Sequence, residues 1–242
     1  MRLDKFLAKC NLGTRSQVRV LLKQKQIKVN GQVENQPKRQ IDEKVDAITF
    51  RDEPLKYETF VYYLLNKPKG IISATEDDKQ KTVLDLLDDE GRHKLVFPVG
   101  RLDIDTHGLL LLTNNGKLAH AMLSPKKHVA KVYLAEVSGI MTEEDKEAFA
   151  QGIDLKDHHC QPAQLKILAT DLANQSSRVE ITIHEGKFHQ IKRMVQVCGK
   201  SVTDLQRLSI GPLSLPNDLD LGDYRRLTPD ELESLSIFGV DL

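Results

Sequence analysis

The chain has 242 residues, enough for one or two domains with a substantial buried core, so a small disulfide-stapled protein is excluded. The longest wholly apolar run spans only residues 60–65, far short of the roughly 20 residues that a membrane-spanning helix needs. Its three cysteines, Cys10, Cys160 and Cys198, are far apart and form no CxxC pair. We therefore expect a soluble, cytoplasmic protein with reduced thiols.

Charge is unevenly distributed along the chain, although 35 basic residues balance 35 acidic ones. Residues 1–50 hold 11 basic and 5 acidic residues, whereas residues 51–242 hold 24 basic and 30 acidic ones. This split predicts a small basic domain that binds an acidic partner, with nucleic acid as the first candidate, attached to a larger body with another role. Charge alone leaves open that the basic segment is only a solvated surface.

Residues 1–50 are predicted to form two short helices followed by a β-hairpin. Apolar residues recur at helical spacing from Leu3 to Leu7 and again from Val18 to Leu22. Thr14, with a glutamine three residues later, forms a capping-box pattern that starts the second helix. The Asn30-Gly31 pair between short apolar segments is a strong hairpin signal.

Basic residues form a stripe on the predicted second helix. Arg15, Arg19 and Lys23 recur every fourth residue, a spacing suited to successive phosphates. The strings RLDKFLA and GTRSQVRVLLKQKQIKVNG resemble the S4-type RNA-binding domain, in which the basic second helix and the following hairpin face structured RNA. The resemblance implies that residues 1–50 form a small S4-like α/β domain, with these three residues and Lys28 in contact with RNA.

The body of the protein is predicted to begin near residue 60. Residues 51–59 are polar and contain a proline, so we interpret them as a linker before a domain over residues 60–242. In chain order, the sequence predicts strands at 60–65, 109–112, 132–137 and 179–183, and helices at 82–87, 117–123, 143–151 and 188–198. Their irregular order favours an α+β fold with a mixed, mostly antiparallel sheet flanked by helices.

Several common chemistries lack their sequence motifs. The chain has no G-x-G-x-x-G, no phosphate-binding G-x-x-x-x-G-K, no G-x-S-x-G and no H-E-x-x-H. His158, His159 and Cys160 could in principle ligate zinc, but a second ligand pair at the usual spacing is missing, so we interpret them as a surface loop. The sequence therefore predicts no metal and no cofactor, and chemistry that ordinary side chains perform.

The segment VGRLDIDTHG precedes the apolar run 109–112 and places Asp103 between turn glycines, two residues after Arg101. A scaffold can present a carboxylate at a cleft from such a position. Taken alone, however, these residues favour a turn whose Asp side chains only accept backbone N–H groups.

The wider pattern changes that balance. VGRLDIDTHGLLLLTNNG, with LLNKPKG upstream and EGKFHQIKRM downstream, resembles the RsuA/RluB/RluE/RluF family of RNA pseudouridine synthases over residues 60 to about 227. The resemblance implies a cofactor-free isomerisation of uridine in RNA, in which the N-glycosidic bond breaks, the base turns and a bond to C5 forms. It also implies that Asp103, Tyr133 and Lys192 are the catalytic residues.

Each implied role has a physical rationale. The Asp103 carboxylate could attack C1′ or stabilise an oxocarbenium-like sugar. The Lys192 ammonium would orient that carboxylate and favour its charged form. A uridine turned out of its stack needs an aromatic wall, which Tyr133 could supply, and its hydroxyl could also move a proton. Out of context, a strand tyrosine is more often core and a helix lysine more often solvated.

Further RNA contacts are predicted around these motifs. The resemblance suggests that Arg101 enters the RNA near the vacated base position. Phosphate contacts are predicted at Lys67, Lys69, Lys187 and Arg193. His189 and Gln190 stay outside the catalytic core, and Asp105 is interpreted as a turn or positioning residue.

The S4-like domain and the short acidic C-terminus favour the RsuA type, which modifies small-subunit (16S) ribosomal RNA. The expected partner is ribosomal RNA in a small-subunit assembly intermediate, bound by a monomer without a membrane. One alternative is a uridine of 23S ribosomal RNA, and another is a non-catalytic S4-domain assembly protein. An S4-bearing methyltransferase would need a glycine-rich cofactor loop that the sequence lacks.

Overall fold

The computed structural model describes residues 1–10, 12–43, 45–55 and 58–242, and it divides into two compact units, Met1–Thr59 and Phe60–Leu242. Within these described ranges, no helix is both long and apolar enough to cross a bilayer. Residues 56 and 57, which belong to the predicted linker, lie outside the described residues.

The first unit combines two helices with a small antiparallel sheet of strand order β2-β1-β3-β4. Its elements are α1 (Leu3–Lys9), α2 (Arg15–Lys23), β1 (Ile27–Val29), β2 (Gln32–Val33), β3 (Ile48–Phe50) and β4 (Glu53–Pro54). Phe6, Val18, Leu22 and Ile27 belong to one buried cluster that joins the helices to the sheet. The predicted helix, helix and hairpin are confirmed.

The local signals in this unit act as expected. The Thr14 hydroxyl accepts the Gln17 backbone N–H at 3.4 Å, so the capping box forms at the start of α2. Asn30 and Gly31 have positive φ angles of 52° and 79°. Positive φ at both central residues gives the tight turn whose twist suits a hairpin.

The predicted linker differs from the structure. Glu53–Pro54 forms β4 and pairs with β3, so part of the segment 51–59 belongs to the sheet of the first unit. A proline is tolerated there because β4 is an edge strand, where a missing N–H need not interrupt a ladder.

The second unit is built on a nine-stranded mixed sheet. The central path is β13-β5-β7-β11-β8-β10-β9, with β6 paired to β7 and β12 paired to β11. Only the β7–β11 pair is parallel, and the other pairs are antiparallel. Its strands are β5 (Tyr62–Lys67), β6 (Phe97–Pro98), β7 (His107–Thr113), β8 (Lys131–Ser138), β9 (Gln164–Asp171), β10 (Ser176–Ile183), β11 (Ser201–Ile210), β12 (Leu213–Ser214) and β13 (Tyr224–Arg226). The predicted α+β class is confirmed.

Helices cover both faces of this sheet. They are α3 (Asp89–His93), α4 (Gly116–Leu123), α5 (Glu143–Gln151), α6 (Gln190–Val197) and α7 (Pro229–Ser234). Alternate residues of β5 belong to different clusters. Tyr63 and Leu65 belong to the cluster that contains Phe149 of α5, and Tyr62 and Leu64 to the cluster that contains residues of α4. Burial on both faces explains why β5 and β7 are continuous apolar runs instead of alternating ones.

Two predicted helices are shorter in the structure. The segment 82–87 forms only a 3₁₀ turn, Val83–Leu86, and the segment 188–198 becomes helical at Gln190. The second difference arises because His189 has a positive φ of 48°. It therefore ends a turn before α6 instead of extending the helix.

Candidate active site

The loop that carries Asp103 rests on a buried lysine at the end of β5. Lys67 has no solvent exposure, and its Nζ donates to the carbonyl oxygens of Asp103 at 3.1 Å, Thr106 at 2.9 Å and Pro68 at 3.1 Å. Burial lowers the pKa of Lys67 to about 8, although the carboxylates of Asp103 and Asp105 oppose that shift. Full burial on three carbonyl oxygens does not support the predicted phosphate contact of Lys67, because the ammonium is not exposed to a ligand in this structure.

Two further contacts fix the middle of the same loop. The Gly70 N–H donates to the Ile104 carbonyl at 2.7 Å. The Ser73 hydroxyl donates to the Leu102 carbonyl at 2.9 Å and accepts the Leu102 N–H at 3.0 Å. The loop backbone is thus held by the segment that follows β5, while the Asp103 side chain stays 30% exposed.

The predicted catalytic side chains share one open pocket with about 460 Å³ of empty space. Asp103, Tyr133 and Lys192 all line it, although they come from a loop, from β8 and from α6. Arg101 and Lys187, two of the predicted RNA contacts, line the same pocket. The structure therefore brings these five distant residues to one place.

Lys192 bridges two carboxylates at the pocket. Its Nζ lies 3.4 Å from Asp103 Oδ2 and 2.5 Å from Asp105 Oδ1. The hydrogen bond from Lys192 is the largest cause that lowers the pKa of Asp105, and it outweighs the opposing effect of partial burial. The predicted Lys192–Asp103 pair is present, but the shorter contact goes to Asp105, which the sequence analysis interpreted as a turn or positioning residue.

Tyr133 forms part of the pocket wall. It lies on β8 between two neighbouring strands, opposite Ile181 of β10 and Arg207 of β11. Its side chain is almost fully buried but still borders the pocket. A ring fixed in the sheet in this way offers a rigid flat surface to a planar ligand.

An exposed aromatic pair lies next to the pocket, and sequence reasoning missed it. The rings of Phe188 and His189 stack with centroids 3.8 Å apart and planes 18° apart. Phe188 is 73% exposed, and His189 Nε2 lies 3.7 Å from Asp103 Oδ1. The signal that could have found the pair is the aromatic residue set between Lys187 and Lys192.

Two predicted phosphate contacts have protein partners. Lys69 forms an ion pair with Asp204, which also accepts a hydrogen bond from His107 Nε2 at 3.0 Å. Burial raises the pKa of Asp204, but the hydrogen bonds from His107 and Lys69 outweigh it and lower the net value. Arg193 forms an ion pair with Asp157. Neither Lys69 nor Arg193 is among the residues that line the pocket.

The first unit presents the predicted basic stripe to solvent. Arg15, Arg19 and Lys23 are all exposed on α2, whereas Val18 and Leu22 of the same helix are buried. We call these three residues the α2 basic stripe. Lys28 on β1 is half-buried and forms an ion pair with Asp52.

Part of the segment interpreted as a surface loop is buried. His159 is exposed, but Cys160 has no solvent exposure. Cys160 lies with His158 and Glu185 in a cluster whose ligand atoms are within 4.8 Å of one another. This cluster is the set of described residues that could hold a metal ion.

Comparisons with known proteins agree with this geometry. Residues 61–197 match the family model described as RNA pseudouridylate synthase, and residues 1–46 match the S4 domain. The chain is 39% identical to the ribosomal small subunit pseudouridine synthase A of Haemophilus influenzae, over 97% of this chain and 99% of the relative. It is 38% identical to the ribosomal large subunit pseudouridine synthase B of Bacillus subtilis, over 97% of this chain and 95% of the relative.

A solved structure shares the fold. A crystal structure of a pseudouridylate synthase matches with a TM-score of 0.65 and 37% identity, over 97% of this chain and 99% of that one. Sequence, fold and pocket therefore lead to one assignment: the chain belongs to the RNA pseudouridine synthase family and carries an N-terminal S4 domain.

Proposed function

We propose that the protein converts one uridine of small-subunit (16S) ribosomal RNA to pseudouridine, using Asp103, Lys192 and Tyr133. The observation that carries this proposal is that the three side chains line one open pocket. The loop that carries Asp103 is held by hydrogen bonds from Lys67 to the Asp103 and Thr106 carbonyls. A fixed carboxylate beside a rigid ring suits a reaction on a nucleoside that has left its stack.

The reaction rearranges bonds without a net gain or loss of atoms. The bond between N1 and C1′ of the uridine breaks, the uracil turns, and C5 bonds to C1′ while the C5 proton leaves and N1 gains one. The negatively charged Asp103 carboxylate lies on the C1′ side of the bound nucleoside, where the sugar develops positive charge as the bond breaks. The same carboxylate can act by attack on C1′ or by electrostatic stabilisation.

Lys192 has a positioning role in this scheme. Its ammonium lies between Asp103 and Asp105, so it orients both carboxylates and offsets their mutual repulsion. Asp105 holds the ammonium at the shorter distance. Lys192 and Asp105 therefore keep a cation beside Asp103, whose side chain stays 30% exposed and can face the ribose.

The walls of the pocket fit a turned-out base. Tyr133 supplies an aromatic surface, and Ile183 and Leu205 add apolar ones. Arg101 and Lys187 line the same pocket and carry charges suited to the phosphates that flank the target nucleotide. The exposed ring of Phe188 lies where a neighbouring base could stack on it.

The S4 domain supplies sequence-independent affinity. The α2 basic stripe presents three exposed cations on one helical face. Their spacing suits successive phosphates of structured RNA, so they add to binding without taking part in the chemistry.

The small-subunit target is supported by the 39% identity to the ribosomal small subunit pseudouridine synthase A of Haemophilus influenzae over nearly the whole chain. An RNA target within an assembly intermediate is consistent with a site that needs an unstacked nucleotide. Since the two curated relatives named for small-subunit and large-subunit RNA are almost equally similar, a 23S uridine is the second candidate.

The experiment maps pseudouridine by carbodiimide modification and primer extension in both ribosomal RNAs. The strains lack the gene and are complemented with the wild type or with Asp103→Asn. We expect one 16S stop to disappear and to return only with the wild type. Loss of a 23S stop would overturn the target but keep the chemistry, and an unchanged map would favour a non-catalytic assembly role.

A further inference from the structure

A cluster of three potential metal ligands lies outside the proposed catalytic set. His158 and Cys160 come from the segment before β9, and Glu185 follows β10. Cys160 is fully buried, while His158 and Glu185 are partly exposed. The third ligand could not be identified from sequence spacing, because Glu185 lies 25 positions after Cys160 and is brought near it only by the fold.

The distance between the first two ligand atoms fits a tetrahedral ion. Cys160 Sγ and His158 Nε2 are 3.6 Å apart. Zinc binds thiolate sulfur at about 2.3 Å and imidazole nitrogen at about 2.0–2.1 Å, which places two tetrahedral ligands roughly 3.6 Å apart. The third atom lies within 4.8 Å of both, so a side-chain shift of about 1 Å in Glu185 completes the set.

Two of the three ligands, His158 and Glu185, are also held by a second partner, as in established metal centres. His158 Nδ1 lies 3.2 Å from the Asp157 carboxylate, which leaves Nε2 directed at the sulfur. Glu185 Oε1 accepts the Gln161 N–H at 3.0 Å and the Gln190 side-chain amide at 2.7 Å. Both hydrogen bonds use Oε1, so Oε2 is the oxygen of this carboxylate that would bind an ion.

We propose that His158, Cys160 and Glu185 bind one Zn²⁺ ion, with a water molecule as the fourth ligand. A thiolate and an imidazole favour zinc over the hard ions magnesium and calcium. Binding releases the Cys160 proton to solvent, because the thiolate is the metal ligand.

The surrounding charges suit a dication. Asp157 and Glu185 are acidic, and ionisation of Cys160 adds a third negative charge. The nearby cations are Arg193, which pairs with Asp157, and Lys131, which interacts electrostatically with Glu185. With Cys160 ionised, Asp157, Glu185 and Cys160 contribute three negative charges against the two positive charges of Arg193 and Lys131, so a dication enters a cluster of net charge −1.

The site would stiffen one wall of the catalytic pocket. Glu185 immediately precedes Gly186 and Lys187, which line that pocket, and the Lys187 N–H donates to the Gln190 side chain at 3.0 Å. An ion on Glu185 would hold the start of this segment and, through Gln190, the start of α6 that carries Lys192. The role is structural, so binding is measurable without substrate.

The test is a Co²⁺ titration of the purified full-length protein under reducing conditions, since Co²⁺ reports zinc sites by absorption. We expect one Co²⁺ per chain, a near-ultraviolet thiolate-to-cobalt band, visible bands typical of four-coordination, and displacement by Zn²⁺. Cys160→Ser should remove the thiolate band. Cys198→Ser is the matched control, because Cys198 caps α6 at a distance from this cluster and should leave the spectrum unchanged.

A milder variant separates ligand loss from misfolding. Asp157 is largely exposed, so Asp157→Asn should fold normally and weaken Co²⁺ binding by about 10- to 100-fold. The proposal fails if the wild type shows no thiolate band, if the band survives Cys160→Ser, or if it is lost in Cys198→Ser. None of these readouts depends on isomerase activity, so the proposed function is tested separately.

Discussion

Replacing Lys67 with Met probes whether this lysine supports the catalytic loop or binds RNA. The substitution keeps a similar chain length and removes the ammonium that binds the carbonyl oxygens of Asp103 and Thr106. Lys69→Met is the matched control, since that lysine is two positions away, half-exposed and paired with Asp204.

Two opposing contributions determine how much Lys67→Met changes the free energy of unfolding. The Pro68 and Thr106 carbonyls lose their charged partner, at about 1–3 kcal/mol each, whereas the Asp103 carbonyl still accepts the Thr106 N–H. Removing the ammonium also relieves the cost of its burial, which lowers its pKa from 10.5 to about 8 and offsets about 3 kcal/mol of that loss. This shift already includes the attraction of Asp103 and Asp105, so the net destabilisation is about 1 kcal/mol.

Two assays read the outcome. About 1 kcal/mol lowers the Tm of a unit of this size by about 2–4 °C, which thermal unfolding followed by circular dichroism resolves. A loop displaced by about 1 Å costs roughly 100-fold in rate, so kcat should fall while RNA affinity is kept. Lys69→Met should change the Tm little, because exposed ion pairs contribute less than about 1 kcal/mol.

The opposite pattern would refute this reasoning. If Lys67→Met leaves the Tm and kcat unchanged but weakens RNA binding and flattens its salt dependence, Lys67 is a phosphate contact. Its hydrogen bonds to the loop carbonyls would then have no role in function. A lowered Tm with normal kcat would show that the hydrogen bonds of Lys67 stabilise the fold without positioning Asp103.

The remaining predictions address the pocket, the buried charges and the S4 domain. Asp103→Asn should abolish isomerisation with unchanged RNA affinity in a filter-binding assay, whereas Asp105→Asn should only reduce kcat; equal losses would contradict separate roles. Phe188→Ala should weaken RNA binding about ten-fold with no change in Tm, because the ring is exposed and base stacking is worth about 1–3 kcal/mol. Burial also lowers the pKa of Lys131 to about 8. Because the unfolded chain then holds more protons between pH 8 and 10.5, the free energy of unfolding in urea should rise with pH across that window, and less steeply in Lys131→Met. Replacing all three residues of the α2 basic stripe with Gln should reduce the slope of log affinity against log salt by about 2, and an unchanged slope would exclude RNA contact there.

Local signals predicted the elements whose structure depends on neighbouring residues. The Asn30-Gly31 turn and the α2 capping box form as expected, because both are satisfied within a few residues. Helix α5 likewise has the predicted bounds, with Thr142 as its N-cap and Gly152 after its last turn. Such signals need no tertiary information.

Residues whose role depends on distant contacts could not be predicted. Lys67 stands in a polar turn sequence, Lys-Pro-Lys-Gly, and such turns are usually exposed. Its burial is decided by a loop 36 positions later in the chain. His107 and Asp204 are separated by 97 positions, so their contact also carries no local signal.

The overall charge of the second unit gives a misleading picture of how it meets RNA. Residues 60–242 contain 27 acidic and 22 basic residues, yet several acidic groups near the site are paired with cations. The pairs are Asp103 and Asp105 with Lys192, Asp204 with Lys69 and His107, and Asp157 with Arg193. Arg101 and Lys187 line the pocket itself. Local pairing of the acids thus lets a polyanion approach a unit of net negative charge, because the potential that RNA meets at the pocket is set by the nearest charges within a screening length of about 8 Å.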